Sequence, residues 1–388
     1  SLSFRTISIQ LLVFFKLLIF YSVCSNGLFA DTGIDEFFIH SNKRITDDLK
    51  EHVSYSDSIK TDSIVTKFNL ILRNFCRLKY SPFQEITLRL RGGNKNIQFF
   101  IEPSIISSKK GFDVLHTKYQ RNGFSGGFKN AFIKLVNQNH MISAVFGRSI
   151  FFWGQSINSS IIKGIDSGPL DYFSLLIKIN NFNYELLNAQ LGTIMDSNRN
   201  NHNRFLIGKR FSFNNPKLQI KFGELFVYSG INKGVELRYL NPLIPSFLID
   251  INTSNFVSGD NYNSIIFTDF KYNYNDQLSF IGEFILDDFQ IDDTGRENKL
   301  GSKLGVYYKN NLKFEIFYEY TNINSFTYLH GGKFTSFHNY SRPLGYKYGP
   351  QSQANDLLIR YNLKEDLSFD FLVTLLKKGD KTILDNDF

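Results

Sequence analysis

The sequence predicts an all-β protein, a closed antiparallel transmembrane β-barrel of about 14–18 strands. Three observations predict it. The first is composition: of 388 residues, 41 are Phe and 20 are Tyr, while Met occurs twice and Pro eight times. Abundant aromatic, Ile and Asn residues describe strands joined by polar turns. The second is period, because apolar residues recur at every second position in long segments from about residue 64 onward. The third is that brief turns alternate with long loops, as they do in outer-membrane barrels.

The elements follow in order. Residues 1–30 read as an export signal. Arg5 precedes the apolar runs Leu11–Phe15 and Leu17–Phe20, and small and polar residues lead to a cleavage site after Ala30. Lys16 leaves the apolar run too short for a helical span. Residues 31–62 are polar, and Asn42–Glu51 predicts a small peripheral helical element without a clear apolar face. Residues 63–388 form the barrel. The chain closes on Asp385-Asn386-Asp387-Phe388, a poor strand, and the expectation is a carboxyl end that is cut short. Cys76 is left without a disulfide partner once Cys24 departs with the signal, so the fold relies on its ladder and its packing.

Within the barrel the alternation has two faces. Leu312, Phe314, Ile316, Tyr318 and Tyr320 share one face, and Lys313, Glu315 and Glu319 share the other. Leu278, Phe280, Phe284 and Leu286 oppose Glu283 and Asp287, and Phe369 and Phe371 flank Asp370. The polar set Glu283, Lys313, Glu315, Glu319 and Asp370 is therefore expected to face the lumen. Tyr272, Tyr274, Tyr307, Tyr308, Tyr318 and Tyr320 stand at strand ends, where interfacial girdles belong. A soluble β-sandwich also alternates, but with shorter strands. Segments of about 9–11 residues suit a tilted membrane crossing. Closure follows from chemistry, because hydrocarbon leaves no partner for an unpaired N–H or C=O. Asn214-Asn215-Pro216, Asn273–Asp276, Lys309–Asn311 and Leu363–Asp366 mark short turns; 153–171, 192–203, 229–262, 287–299 and 322–354 are long loops.

The net charge of +8 is spread along the chain without a run of five, which argues against nucleic acid and leaves a hint of an acidic polymer. His40, His52, His116, His140, His202, His330 and His338 lack metal-ligand spacing, and Gly-x-Ser-x-Gly is absent, so no catalytic residue, metal or cofactor is assigned. The sole Trp, Trp153, reads either as an interfacial anchor or as a stacking surface for a sugar ring. The loop 322–354 collects His338, Tyr340, Arg342 and Tyr346, which suit either a glycan site or a self-packed extracellular loop.

Five motifs in order then resemble the capsule-assembly outer-membrane proteins of the Wzi family. They are Phe152-Trp153-Gly154-Gln155, Gly234–Pro242, Gly282–Phe289, Tyr318–Thr321 and His338–Gly345, spread over about 150–378. The resemblance implies a monomeric barrel with a small amino-terminal helical element in the outer membrane. It implies that the chain binds or anchors capsular or other surface polysaccharide without catalysis. The candidate glycan contacts are Trp153, His338, Tyr340, Arg342 and Tyr346. A porin or solute channel, its lumen lined by the polar set, is the alternative.

Overall fold

The computed structural model describes residues 36–38, 65–77, 80–107, 119–253, 262–288, 298–309, 314–330, 332–364 and 367–385. The export signal, the helix expected at 42–51 and Lys313 lie outside the described residues. In chain order the strands are β1 (Glu36–Phe38), β2 (Val65–Arg77), β3 (Tyr80–Gly93), β4 (Ile97–Ile106), β5 (Gln120–Arg121), β6 (Phe124–Val136), β7 (Ile142–Ser149), β8 (Leu170–Ile179), β9 (Phe182–Met195), β10 (Asn201–Asn214), β11 (Leu218–Ile231), β12 (Tyr262–Asn273), β13 (Leu278–Asp288), β14 (Lys299–Lys309), β15 (Phe314–Ile323), β16 (His338–Asn339), β17 (Arg342–Pro343), β18 (Ser352–Lys364) and β19 (Leu367–Lys378). Fifteen of them are long, and each long strand pairs antiparallel with the next. The three-residue β1 pairs with β19 and lies beside β2, bringing the first and last long strands together.

Asn makes the short turns. Asn94, Asn137, Asn215 and Asn275 each turn a side-chain carbonyl back onto backbone N–H groups at the start of the next strand. Asn180 begins the two-residue turn between β8 and β9 at φ +52°, the left-handed region that Asn tolerates. All these turns lie at one end. The described residues 150–169, 232–253, 324–330, 332–351 and 379–385 lie at the other.

The two-faced reading of the strands holds over most of the wall. Phe146, Phe222 and Leu304 are exposed on the outside, whereas Asp269, Glu283 and Lys303 are fully buried on the inside. Two features depart from it. Tyr272, Tyr308 and Tyr318 are exposed on the outer wall, but Tyr307 turns inward and stacks on Phe317 at 4.1 Å, so it is no girdle residue. The second departure is in β10 and β11, where Arg204–Lys209 and Glu224–Ser229 are buried at every position. Strands covered on both faces lose their alternation. Inside, Leu206, Leu225 and Val227 join a core with Trp153, Ile161, Tyr328 and Leu344. Outside, Phe205, Ile207, Phe226 and Tyr228 pack against Tyr239, which lies in the β11–β12 loop.

Candidate functional site

The lumen is filled by the chain's own loops. The segment 150–169, between β7 and β8, descends into the barrel and is gripped by the acidic inner wall. Glu283 accepts the backbone N–H of Gln155 at 2.6 Å, of Ser156 at 2.7 Å and of Ile161 at 2.8 Å, and also the Ser160 hydroxyl at 2.8 Å. Glu319 accepts the Ile157 N–H at 2.8 Å and the Ser156 hydroxyl at 2.7 Å. Lys303 pairs with Glu319 at 3.0 Å, balancing its charge, and Asp356 accepts from Asn158 at 3.1 Å. The segment supplies donors and the wall supplies carboxylates, which is how buried charge is tolerated.

Trp153 is buried near the start of this segment. Its ring packs edge-on to Phe151 at 5.1 Å and beside Phe267 at 5.6 Å, with the Arg210 guanidinium 4.6 Å over it. Gly208 makes the room, because a β-carbon there would lie 2.6 Å from the indole. Lys163, two turns of chain further on, donates to the carbonyls of Phe151 and Gly164 and to the Ser167 hydroxyl; burial pulls its amine down to about 7.

The loop 324–351, between β15 and β18, closes over the top. Tyr328 donates its hydroxyl to the Ile161 carbonyl at 2.6 Å, and Gly164 donates its N–H to the Leu344 carbonyl at 2.7 Å, so the two segments are tied directly. Buried polar side chains of the strands anchor this loop. Arg204 donates to the carbonyls of Phe334, Ser336 and His338. Asp287 accepts the Tyr328 N–H at 2.6 Å, and Lys299 donates to the Leu329 carbonyl at 2.9 Å. His338 is buried beneath the loop between Arg204 and the Ser336 carbonyl. Burial, followed by the Arg204 charge, pulls its imidazole down to about 2, so it is neutral.

At the tip, β16 and β17 form a small hairpin with Asn339 opposite Arg342 and Tyr340-Ser341 at the turn. Tyr340 has φ +53°, a conformation that costs a bulky residue on the order of 1–3 kcal/mol. Its ring lies against Gly192, where a β-carbon would come within 2.9 Å of it. Below it, Asn339 accepts the Gly192 N–H at 2.8 Å and donates to the Ser167 carbonyl at 3.2 Å. Arg342 donates to the Asp166 carbonyl at 3.1 Å. At the neighbouring rim Arg148 pairs with Asp171.

The five glycan candidates thus divide. Tyr340 is exposed and Arg342 half-buried at the loop end; Trp153, His338 and Tyr346 are 1%, 1% and 0% exposed. Sugar stacking on Trp153 requires an open ring face, and an interfacial anchor requires the outer wall; the indole has neither. Of the lumen candidates, Glu283, Glu319 and Asp370 are buried on the inner side. Asp370 takes a two-pronged bond from Arg360, which also reaches Glu315 at 3.7 Å. Sequence reasoning missed Arg204, Asp269, Lys303 and Asp356; it set Asp287 on the polar face with Glu283 and Asn339 in the loop, without the backbone partners each one meets. Arg204 carried a signal, a lone charge leading the apolar run Phe205-Leu206-Ile207. It also missed the cross-links Arg89–Glu102 and Lys129–Glu85 on the inner wall of β3, β4 and β6.

The family described as capsule assembly protein Wzi matches residues 80–385, well beyond the motifs toward the amino terminus. Among solved structures the chain is similar to Wzi of Escherichia coli, described as an outer-membrane, carbohydrate-binding β-barrel involved in group 1 capsule assembly. The TM-score is 0.58 at 14% identity, covering 87% of this chain and 76% of that one. Salmonella typhi OmpF gives a TM-score of 0.44 at 8% identity, covering 81% and 89%. A Rhodopseudomonas blastica porin variant gives 0.38 at 9% identity, covering 81% and 99%. No curated protein sequence matches the chain.

Proposed function

The chain belongs to the Wzi capsule-assembly family and is an outer-membrane β-barrel; from this premise we propose that it holds surface polysaccharide at its loop end and does not chemically transform it. The observation that carries the reading is the filled barrel. Residues 150–169 and 324–351 occupy the space that a porin would leave to solute, and carboxylates that could line a channel are spent on the loop backbone. What remains for function is the surface those loops make. The E. coli relative's description as a carbohydrate binder supports the same assignment.

The contacts we assign are Tyr340 and Arg342. Tyr340 stands at a hairpin tip in a strained conformation that Gly would adopt freely, and an exposed aromatic kept there at that cost motivates a binding role. Its ring face suits the apolar side of a pyranose. The Arg342 guanidinium suits paired hydrogen bonds to a uronate or similar acid, and the +8 net charge favours an acidic polymer. Trp153, His338 and Tyr346 take the role of supports, which hold the hairpin from beneath.

Binding of labelled capsular polysaccharide to the full chain in detergent tests the assignment. Arg342→Ala and Tyr340→Ala should each weaken binding about tenfold, equivalent to about 1.4 kcal/mol, with the barrel still folded. Unchanged affinity in the double variant would remove these residues from the site.

A further inference from the structure

Charge on the lipid-facing wall of a barrel is costly, most of all for a Lys at mid-depth. Lys209 and Glu224 nevertheless oppose each other on the outer faces of β10 and β11. They stand in line with the wall residues Phe211 and Phe222, which are exposed, yet both charges are buried. The segment between β11 and β12 buries them. Lys209 donates to the Ile244 carbonyl at 2.5 Å, and Glu224 accepts the Ser246 N–H at 2.6 Å, where helix α1 (Ser246–Thr253) begins. Nearer the loop end, a short 3-10 helix (Leu237–Leu240) sets Tyr239 against Phe226 at 4.9 Å and Tyr228 at 4.8 Å.

The segment's other side is apolar. Leu243 is 86% exposed and Leu237 78%, and Val235, Ile244 and Leu248 are exposed beside them. A segment bathed in water would turn polar residues outward, and an apolar patch of this kind marks a contact surface. The patch continues onto Phe211, Phe222 and Ile266, exposed parts of the wall that meets the membrane. Lys233 and Arg238, paired through Glu236, lie toward the loop end, where lipid headgroups would be met.

We propose that residues 235–249 form a strap embedded in the outer leaflet, with Leu237, Leu243, Ile244 and Leu248 among acyl chains. The strap's polar backbone satisfies Lys209 and Glu224, and its apolar side replaces the wall it covers. It anchors the loop face to the bilayer, and it does not depend on what that face binds.

The test uses the full chain with Cys24 and Cys76 replaced by Ser, reconstituted in phosphatidylcholine vesicles. Nitroxides are placed singly through Leu243→Cys, Leu237→Cys, Phe222→Cys as the lipid-facing reference and Ser341→Cys as the aqueous one. Collision with dissolved oxygen and with a water-soluble nickel chelate is then measured on protein whose electrophoretic mobility shows it folded. The strap labels should follow Phe222→Cys, favouring oxygen several-fold over nickel. Labels that follow Ser341→Cys place the segment in water and overturn the proposal. Labels shielded from both reagents show protein covering the patch and also overturn it. If Leu243→Cys fails to fold, Leu237→Cys carries the same comparison.

Discussion

Tyr340 and His338 show how neighbouring positions in one loop divide their work. Tyr340 is exposed at φ +53°, and His338, two residues earlier, is buried under it. Both looked like ligands in the sequence, because residue type alone does not say which side of a loop a side chain takes. The buried imidazole makes a pH prediction. Its pKa falls from the ordinary 6.5 to about 2 in the folded loop, so the unfolded loop binds more protons between those values. Loop stability is fully present above about pH 6.5 and is lost as the pH falls toward 2. Protease protection of residues 324–351 should therefore decline on acidification from pH 7.5 to 4.5. His338→Asn should show a flatter pH dependence, whatever its absolute stability. An equally steep decline in that variant would assign the effect to another group.

The element that defines this protein is the lumenal segment 150–169. The alternating strands and the short Asn turns were legible, because each depends on local rules of period and turn geometry. The plug was not. Phe152-Trp153-Gly154-Gln155 reads as a loop motif, and its partner Glu283 is 128 residues from Gln155 along the chain. Glu283, Glu319 and Asp370 were legible as inward-facing from period two, but not the backbone amides they would meet. The apolar inner wall at Leu206, Leu225 and Val227 was hidden for the same reason, since continuous burial needs a cover supplied from elsewhere in the sequence. The single Trp makes the plug measurable. Trp153 should emit at short wavelength and resist acrylamide. Glu283→Ala leaves the backbone amides of Gln155, Ser156 and Ile161 without their acceptor, at a cost of about 3–5 kcal/mol. Its emission should shift red. Gly208→Ala, which drives a methyl into the indole, should shift it in the same direction through an overpacking cost of about 1–3 kcal/mol. An unchanged spectrum in both would contradict the packing described for Trp153.

At the scale of the molecule, a curled antiparallel sheet is filled from within by loops 150–169 and 324–351 and strapped from without by the β11–β12 segment. Both covers gather at the end opposite the short Asn turns, where the Tyr340–Arg342 hairpin of loop 324–351 reaches the surface. Such an object is built to present a surface. The aromatic composition from which the fold was read has three uses in it: the outer wall at Phe146 and Phe222, the lumenal core at Trp153 and Phe267, and the outer cluster at Phe226 and Tyr239. Whether this surface holds polysaccharide on the cell is read from the cell-associated share of surface polymer in a deletion strain. Total polymer should be unchanged while the cell-associated share falls and the shed share rises, with rescue by the natural chain and not by the Tyr340→Ala, Arg342→Ala double variant. A deletion strain that retains its full surface polymer would contradict it.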